Sequence, residues 1–106
     1  MRALTEAAFL DMVIRLARLK KWLVFHARPA RTARGWRTPV SGDGKGFPDL
    51  FLIRPAAGEI LFVELKSGRG RLTPEQEAWL EALRECGLPV RVWTPKDWDE
   101  ITETLS

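Results

Sequence analysis

The apolar and polar positions of the chain alternate between two periods. Over residues 5–21, Phe9, Leu10, Val13, Leu16 and Ala17 recur at helical spacing, while Asp11, Arg15 and Arg18 fall on the opposite side. This stretch reads as an amphipathic helix with Thr5 as its N-cap. Residues 22–26, Trp-Leu-Val-Phe-His, read as a short strand. From Ala27 to Gly46 the apolar pattern stops, and the segment reads as a long loop of the functional or mobile kind. Residues 49–53 and 59–66 read as two strands turning at Pro55-Ala56-Ala57-Gly58. Both are apolar on each face near their centres, so the hairpin belongs inside a covered sheet. A second helix opens at Thr73-Pro74-Glu75-Gln76, where an N-cap, a proline at the first helical position and a glutamine three residues after the cap coincide. It runs to about Cys86, and Gly87 is its stop. Residues 88–93 form a further strand and 95–105 a last short helix. The order αβββαβα is that of an α/β domain with a central sheet flanked by helices.

Composition narrows the function classes. A chain of 106 residues makes one domain, 1–106, with ordinary globular proportions of 45% apolar and 29% charged residues. The net charge of +3 suits a polyanionic partner without requiring one. The lone cysteine, Cys86, excludes an internal disulfide and a Cys-based zinc site, and fits a reducing cytoplasm. The lone histidine, His26, excludes a His-rich metal site and reads as a structural residue closing an apolar strand. The start, Met1-Arg2-Ala3-Leu4, is too weakly charged and apolar for a secretion signal. No stretch reaches the roughly 18 apolar residues of a membrane span. Trp22, Trp79, Trp93 and Trp98 read as core or interface residues, and Cys86 as a small core residue on the inner helix face.

The chemistry concentrates in two short motifs, Lys45-Gly46-Phe47-Pro48-Asp49 and Glu64-Leu65-Lys66. On a strand, Glu64 and Lys66 leave the same face, and Val63 and Leu65 the other. Glu and Lys are almost never fully buried unless paired or liganded. Each residue has a plain alternative: Asp49 as a turn aspartate, Glu64 as a partner for an arginine, Lys66 as a solvated strand end. Together they also form the set a hard divalent cation needs, with Asp49 and Glu64 as carboxylate ligands and Lys66 beside the attacking water and the scissile phosphate. Arg28, Arg31, Arg34 and Arg37, with Trp36 and Lys45, make a basic segment carrying an aromatic, which either meets phosphates and bases or is a solvated loop. Arg69 and Arg71 flank the site as phosphate contacts.

Gly46-Phe47-Pro48-Asp49-Leu50, followed by Val63-Glu64-Leu65-Lys66 and a helix opening at Thr73-Pro74-Glu75-Gln76, resembles the PD-(D/E)xK nuclease superfamily. Within it the pattern is most similar to the VRR-NUC (virus-type replication-repair nuclease) domain, over nearly the whole chain. The resemblance implies a restriction-endonuclease-like core with a mixed sheet and a metal-dependent endonuclease acting on DNA. It implies Mg²⁺ or Mn²⁺ held by Asp49, Glu64 and the Leu65 carbonyl, with Lys66 positioning the attacking water. It adds Glu6 as a further metal or water ligand and Gln76 as a support for the nucleophile. Glu6 is in phase with the apolar face of its helix and points to the covered side, but also suits the helix dipole alone; Asp11, opposite, is the weaker candidate. Gln76 serves either the site or the Thr73 capping box. Family members without extra domains resemble junction-resolving enzymes that cut branched DNA such as four-way (Holliday) junctions, often as homodimers. Rival functions are a duplex-nicking or restriction-like nuclease, a DNA-binding module without catalysis, and an interaction protein whose charges merely pair.

Overall fold

A computed structural model describes residues 4–27, 30–32, 35–37 and 42–106. Helix α1 spans Glu6–Leu19, capped by the Thr5 hydroxyl, which accepts the Ala8 N–H at 3.0 Å. Phe9, Val13 and Ala17 are its buried face. Its outer face carries the exposed Asp11–Arg15 ion pair, one turn apart at 2.9 Å. The strands are β1 (Leu23–His26), β2 (Ala30–Thr32), β3 (Gly35–Arg37), β4 (Leu50–Arg54), β5 (Glu59–Leu65) and β6 (Val90–Trp93). Helix α2 is Pro74–Glu85 and α3 is Trp98–Leu105, the latter entered through a short 3₁₀ turn at Pro95–Asp97.

The main sheet has the order β1-β4-β5-β6. β1, β4 and β5 are antiparallel neighbours, whereas β6 lies parallel to β5, with α2 as the crossover. The sheet is mixed and covered on both faces. Leu50, Leu52, Leu61, Val63, Leu65 and Trp93 pack with Phe9 and Val13 of α1 and with Ile101 and Leu105 of α3. Phe62 and Val90 pack with Leu80 and Leu83 of α2 on the other side. Burying each large apolar side chain in these layers contributes about 1.5–3 kcal/mol. The two buried indoles are satisfied, Trp22 Nε1 by the Leu105 carbonyl at 3.0 Å and Trp93 Nε1 by Glu100 at 2.6 Å. No helix among the described residues is long and apolar enough to cross a membrane.

Three sequence expectations change. The segment read as a loop holds a second, two-stranded sheet, β2 against β3 in antiparallel register, with Arg31 opposite Trp36. Strands of three residues held by backbone hydrogen bonds leave no apolar alternation to detect. Cys86 is exposed: α2 ends at Glu85 and Cys86 is its C-cap, one residue beyond the helix and three beyond Leu83, the last buried residue of its inner stripe. Helix α1, read as residues 5–21, ends at Leu19 with no glycine to mark the stop: Lys21 takes a left-handed φ of 73°. Its N–H donates to the Arg18 carbonyl and that of Trp22 to the Ala17 carbonyl, the same closure that Gly87 and Leu88 give α2.

Candidate active site

The site grows from the open end of the β4–β5 pair. Their register runs from Arg54↔Glu59 to Leu50↔Val63, and one step further sets Asp49 opposite Glu64. Along β5, Leu61, Val63 and Leu65 enter the α1/α3 core, so Glu64 shares the face of Phe62 beneath α2. A carboxyl therefore occupies the end of an apolar layer, only 1% exposed.

Asp49 is brought there by the loop before β4. Gly46 has a φ of +89°, and a Cβ on it would stand 2.6 Å from the Glu75 carbonyl carbon, so only glycine lets this loop press against the start of α2. Phe47 then meets Phe62 and Trp79 edge-on, with centroids 6.0 and 5.1 Å apart. Trp79 Nε1 donates to the Asp43 carbonyl at 2.9 Å. Pro48 is buried and fixes the entry to the strand. The Asp49 carboxylate accepts the Leu65 backbone N–H at 2.7 Å, tying the loop to β5.

Two further groups converge on Glu64. Lys66 Nζ lies 3.5 Å from its carboxylate, and the Lys66 backbone N–H is anchored on the Trp93 carbonyl. Gln76 Nε2 donates to Glu64 at 3.1 Å, while Gln76 Oε1 accepts the Thr73 N–H at 2.9 Å and the Thr73 hydroxyl accepts the Gln76 N–H. The capping box and the contact with the site are thus simultaneous, one made by each end of the amide. Burial first, then the Asp49 carboxylate and a hydrogen bond with it, push Glu64 up to about 8 against the opposing pull of Lys66.

Glu6 is exposed, not covered as its phase implies. It lines a cavity of about 350 Å³ together with Asp49, Leu65 and His26. Among the described residues, no three Asp, Glu, His or Cys side chains come close enough to form an ion-binding group, so Glu6 shares the cavity without closing a three-donor cluster. Asp11 is turned away and paired to Arg15. Lys45, Arg69 and Arg71 are exposed in the segments entering β4 and leaving β5. Arg31 and Arg37 lie on β2 and β3, and Arg28 and Arg34 fall outside the described residues. His26 belongs with the site: half-buried at the end of β1, it walls the Asp49 cavity. Its place depends on the pairing of β1 with β4, which no local pattern encodes.

The donor set fits a hard divalent cation. Two opposed carboxyls, one deeply buried and pushed up first by that burial and then by the other, are the electrostatic complement of a positive ion, and the oxygens of Asp49, Glu64 and the Leu65 carbonyl are the ligand chemistry that Mg²⁺ and Mn²⁺ prefer.

A solved structure described as a VRR_NUC domain superposes with a TM-score of 0.68 at 27% identity, over 92% of this chain and 94% of that one. Another, the crystal structure of paFAN1 bound to 2nt 5′-flap DNA with gap, overlaps 46% of this chain and 9% of its own at 39% identity, with a TM-score of 0.44. No curated protein matches the chain. The profile of the VRR-NUC domain matches residues 15–97, a span that contains β4, β5 and α2 with Asp49, Glu64, Lys66 and Gln76, and the chain belongs to this family of nuclease domains.

Proposed function

We propose that this nuclease domain is a divalent-metal-dependent, structure-specific DNA endonuclease that hydrolyses phosphodiester bonds in branched DNA such as four-way junctions. The observation that carries the reading is the buried Glu64 facing Asp49 with Lys66 at 3.5 Å. Two carboxyls opposed on a strand pair, one of them buried, cost the fold stability, which supports a chemical role for the pair.

Asp49, Glu64 and the Leu65 carbonyl would hold Mg²⁺ or Mn²⁺, with Glu6 contributing from the other wall of the cavity. Bound there, the ion supplies Lewis acidity to the scissile phosphate. The protein's own part is positional and electrostatic. Lys66 offers three N–H donors to the attacking water and a non-bridging phosphate oxygen, and offsets charge as it develops. Gln76 fixes the Glu64 carboxylate, leaving it one orientation. The water oxygen bonds to phosphorus as the P–O ester bond breaks, and the proton the water loses ends on the departing oxygen or in solvent. Lys45, Arg69, Arg71 and the arginines at 28, 31, 34 and 37 neutralise backbone phosphates. Paired cuts across a junction need two sites, which supports a homodimer, and the single cysteine supports a reducing cytoplasm.

The test is cleavage of four-way junction, flap, single-strand and plain duplex DNA with Mg²⁺ or Mn²⁺, comparing wild type with Lys66→Ala and Asp49→Ala. Junction cutting that disappears in both variants is the expected result. Duplex cutting without junction preference refutes the substrate class, and binding without cleavage under either metal refutes catalysis.

A further inference from the structure

We infer that the cleft between α1 and β1 is a second binding surface for the substrate strand, in which His26 and Arg18 hold backbone phosphates on the side of the scissile bond away from Lys66. This rests on the nuclease reading above.

The cleft follows from register. His26 is paired with Leu50, so its ring leaves the sheet on the α1 side, the side of Leu50 and Leu52. There it walls two cavities at once. One, of about 350 Å³, holds Asp49 and Glu6. The other, of about 410 Å³, runs along the edge strand and is lined by Arg18, Ile14, Trp22 and Leu23. The shared imidazole makes them adjoining parts of one path, from the carboxylates at the strand ends to a guanidinium in the last turn of α1.

Two donors on this path, His26 and Arg18, can meet phosphate oxygens. In the first cavity both charged side chains, Glu6 and Asp49, are acids and repel a polyanion. His26 is the one lining side chain there that can donate a hydrogen bond, through one ring nitrogen in either neutral tautomer. In the second cavity Arg18 presents the fork that fits phosphate oxygens. The neighbouring Arg15 is committed to Asp11 at 2.9 Å. Ile14 and Val24, half-buried on the same side of the sheet, give the path an apolar wall on which a sugar or base can rest. Lys66, Arg69 and Arg71 all lie on the β5–α2 connection, and His26 and Arg18 add donors on the α1 side of the sheet.

The experiment is fluorescence anisotropy of a labelled four-way junction and a labelled single strand, with Ca²⁺ in place of Mg²⁺ and over a series of salt concentrations. It compares wild type, Arg18→Ala, His26→Ala and His26→Gln, with steady-state cleavage in Mg²⁺ alongside. Arg18→Ala should weaken binding about three- to tenfold and lower the slope of log affinity against log salt by about 0.7–0.9, the value of one lost phosphate contact. It should raise KM and leave kcat within about twofold, a split that a loss of fold would not give. His26→Ala should weaken binding similarly, and His26→Gln, which keeps a donor, should restore most of it. Wild-type affinity and salt slope in both alanine variants overturn the proposal while leaving the nuclease reading intact. So does a His26→Ala protein that loses calorimetric Mn²⁺ binding with an unchanged salt slope, because His26 would then serve the ion. Should His26→Ala fail to fold, Arg18→Ala decides alone, since its exposed head group takes no part in the core. A wild type that binds neither DNA overturns both readings.

Discussion

The two ends of the β4–β5 hairpin carry opposite solutions to the same problem. At the turn end, register pairs Arg54 with Glu59, unlike charges. The Arg54 guanidinium bonds Glu59 at 2.9 Å and the carbonyls of Lys20, Leu105 and Ser106 at 3.2, 3.1 and 3.0 Å, and lies 4.5 Å above the Trp22 ring. Its donors and its charge are both answered, and through them α1, β4 and α3 are joined. At the open end the same two strands oppose Asp49 to Glu64, and Glu64 is driven to about 8. One end is arranged for the folded state alone. The other crowds two carboxyls, one of them buried, at a cost that the proposed ion would relieve, which is how a site differs from a scaffold.

This contrast can be broken from either end. The largest effect belongs to the open end. Asp49→Ala and Lys66→Ala should each lower cleavage on the order of 10³-fold, the scale of losing one group that stabilises developing charge, while melting changes little. Initial rates beside thermal melts check this, and a loss of fold in step with activity would erase the distinction. At the turn end, Arg54→Met should do the reverse, removing about 2–3 kcal/mol of stability with kcat unchanged for the folded fraction; each kcal/mol corresponds to about 4–8 °C in Tm.

Glu64→Gln sharpens the comparison through pH. The unfolded carboxyl ionises near 4.5 and the folded one near 8. Between these values the unfolded chain releases a proton that the fold retains, so the metal-free wild type loses stability as pH rises from about 4.5 through about 8. Glu64→Gln should abolish that slope and melt higher than wild type above pH 8 while being inactive, and Mn²⁺ should flatten the wild-type curve. Melts at about pH 5 and about pH 9, with and without metal, decide it. The smallest effect is Lys21→Gly beside the Arg54 cluster. It relieves a left-handed non-glycine and should gain about 0.5–1 kcal/mol without touching cleavage, read from denaturant midpoints.

What the sequence reveals here is what is local. The caps at Thr5 and Thr73, the stop at Gly87 and the apolar phase of α1 and β5 are set within a few residues, and the chain shows them directly. The Pro-Asp and Glu-x-Lys motifs locate the carboxylates because strand alternation fixes their faces. The rest depends on distant partners. Arg54 finds three carbonyls far away in sequence, and His26 reaches Asp49 only through the β1–β4 register. The Lys21 stop needs the chain to turn into Trp22, whose indole is claimed by Leu105. Phase misplaced Glu6 and Cys86 for one reason: both stand at a helix terminus, where periodicity no longer determines burial.

Gln76 couples two equilibria. Its amide oxygen helps to nucleate α2, and its amide nitrogen holds the residue proposed to bind the ion. Whatever engages Glu64 therefore also biases the first turn of the helix, and fraying of that turn loosens the grip on Glu64, by the same free energy in each direction. Amide exchange at the start of α2, measured without DNA, would then report the occupancy of the proposed ion site. The winding of a helix turn and the loading of the proposed ion would then be linked equilibria in this domain.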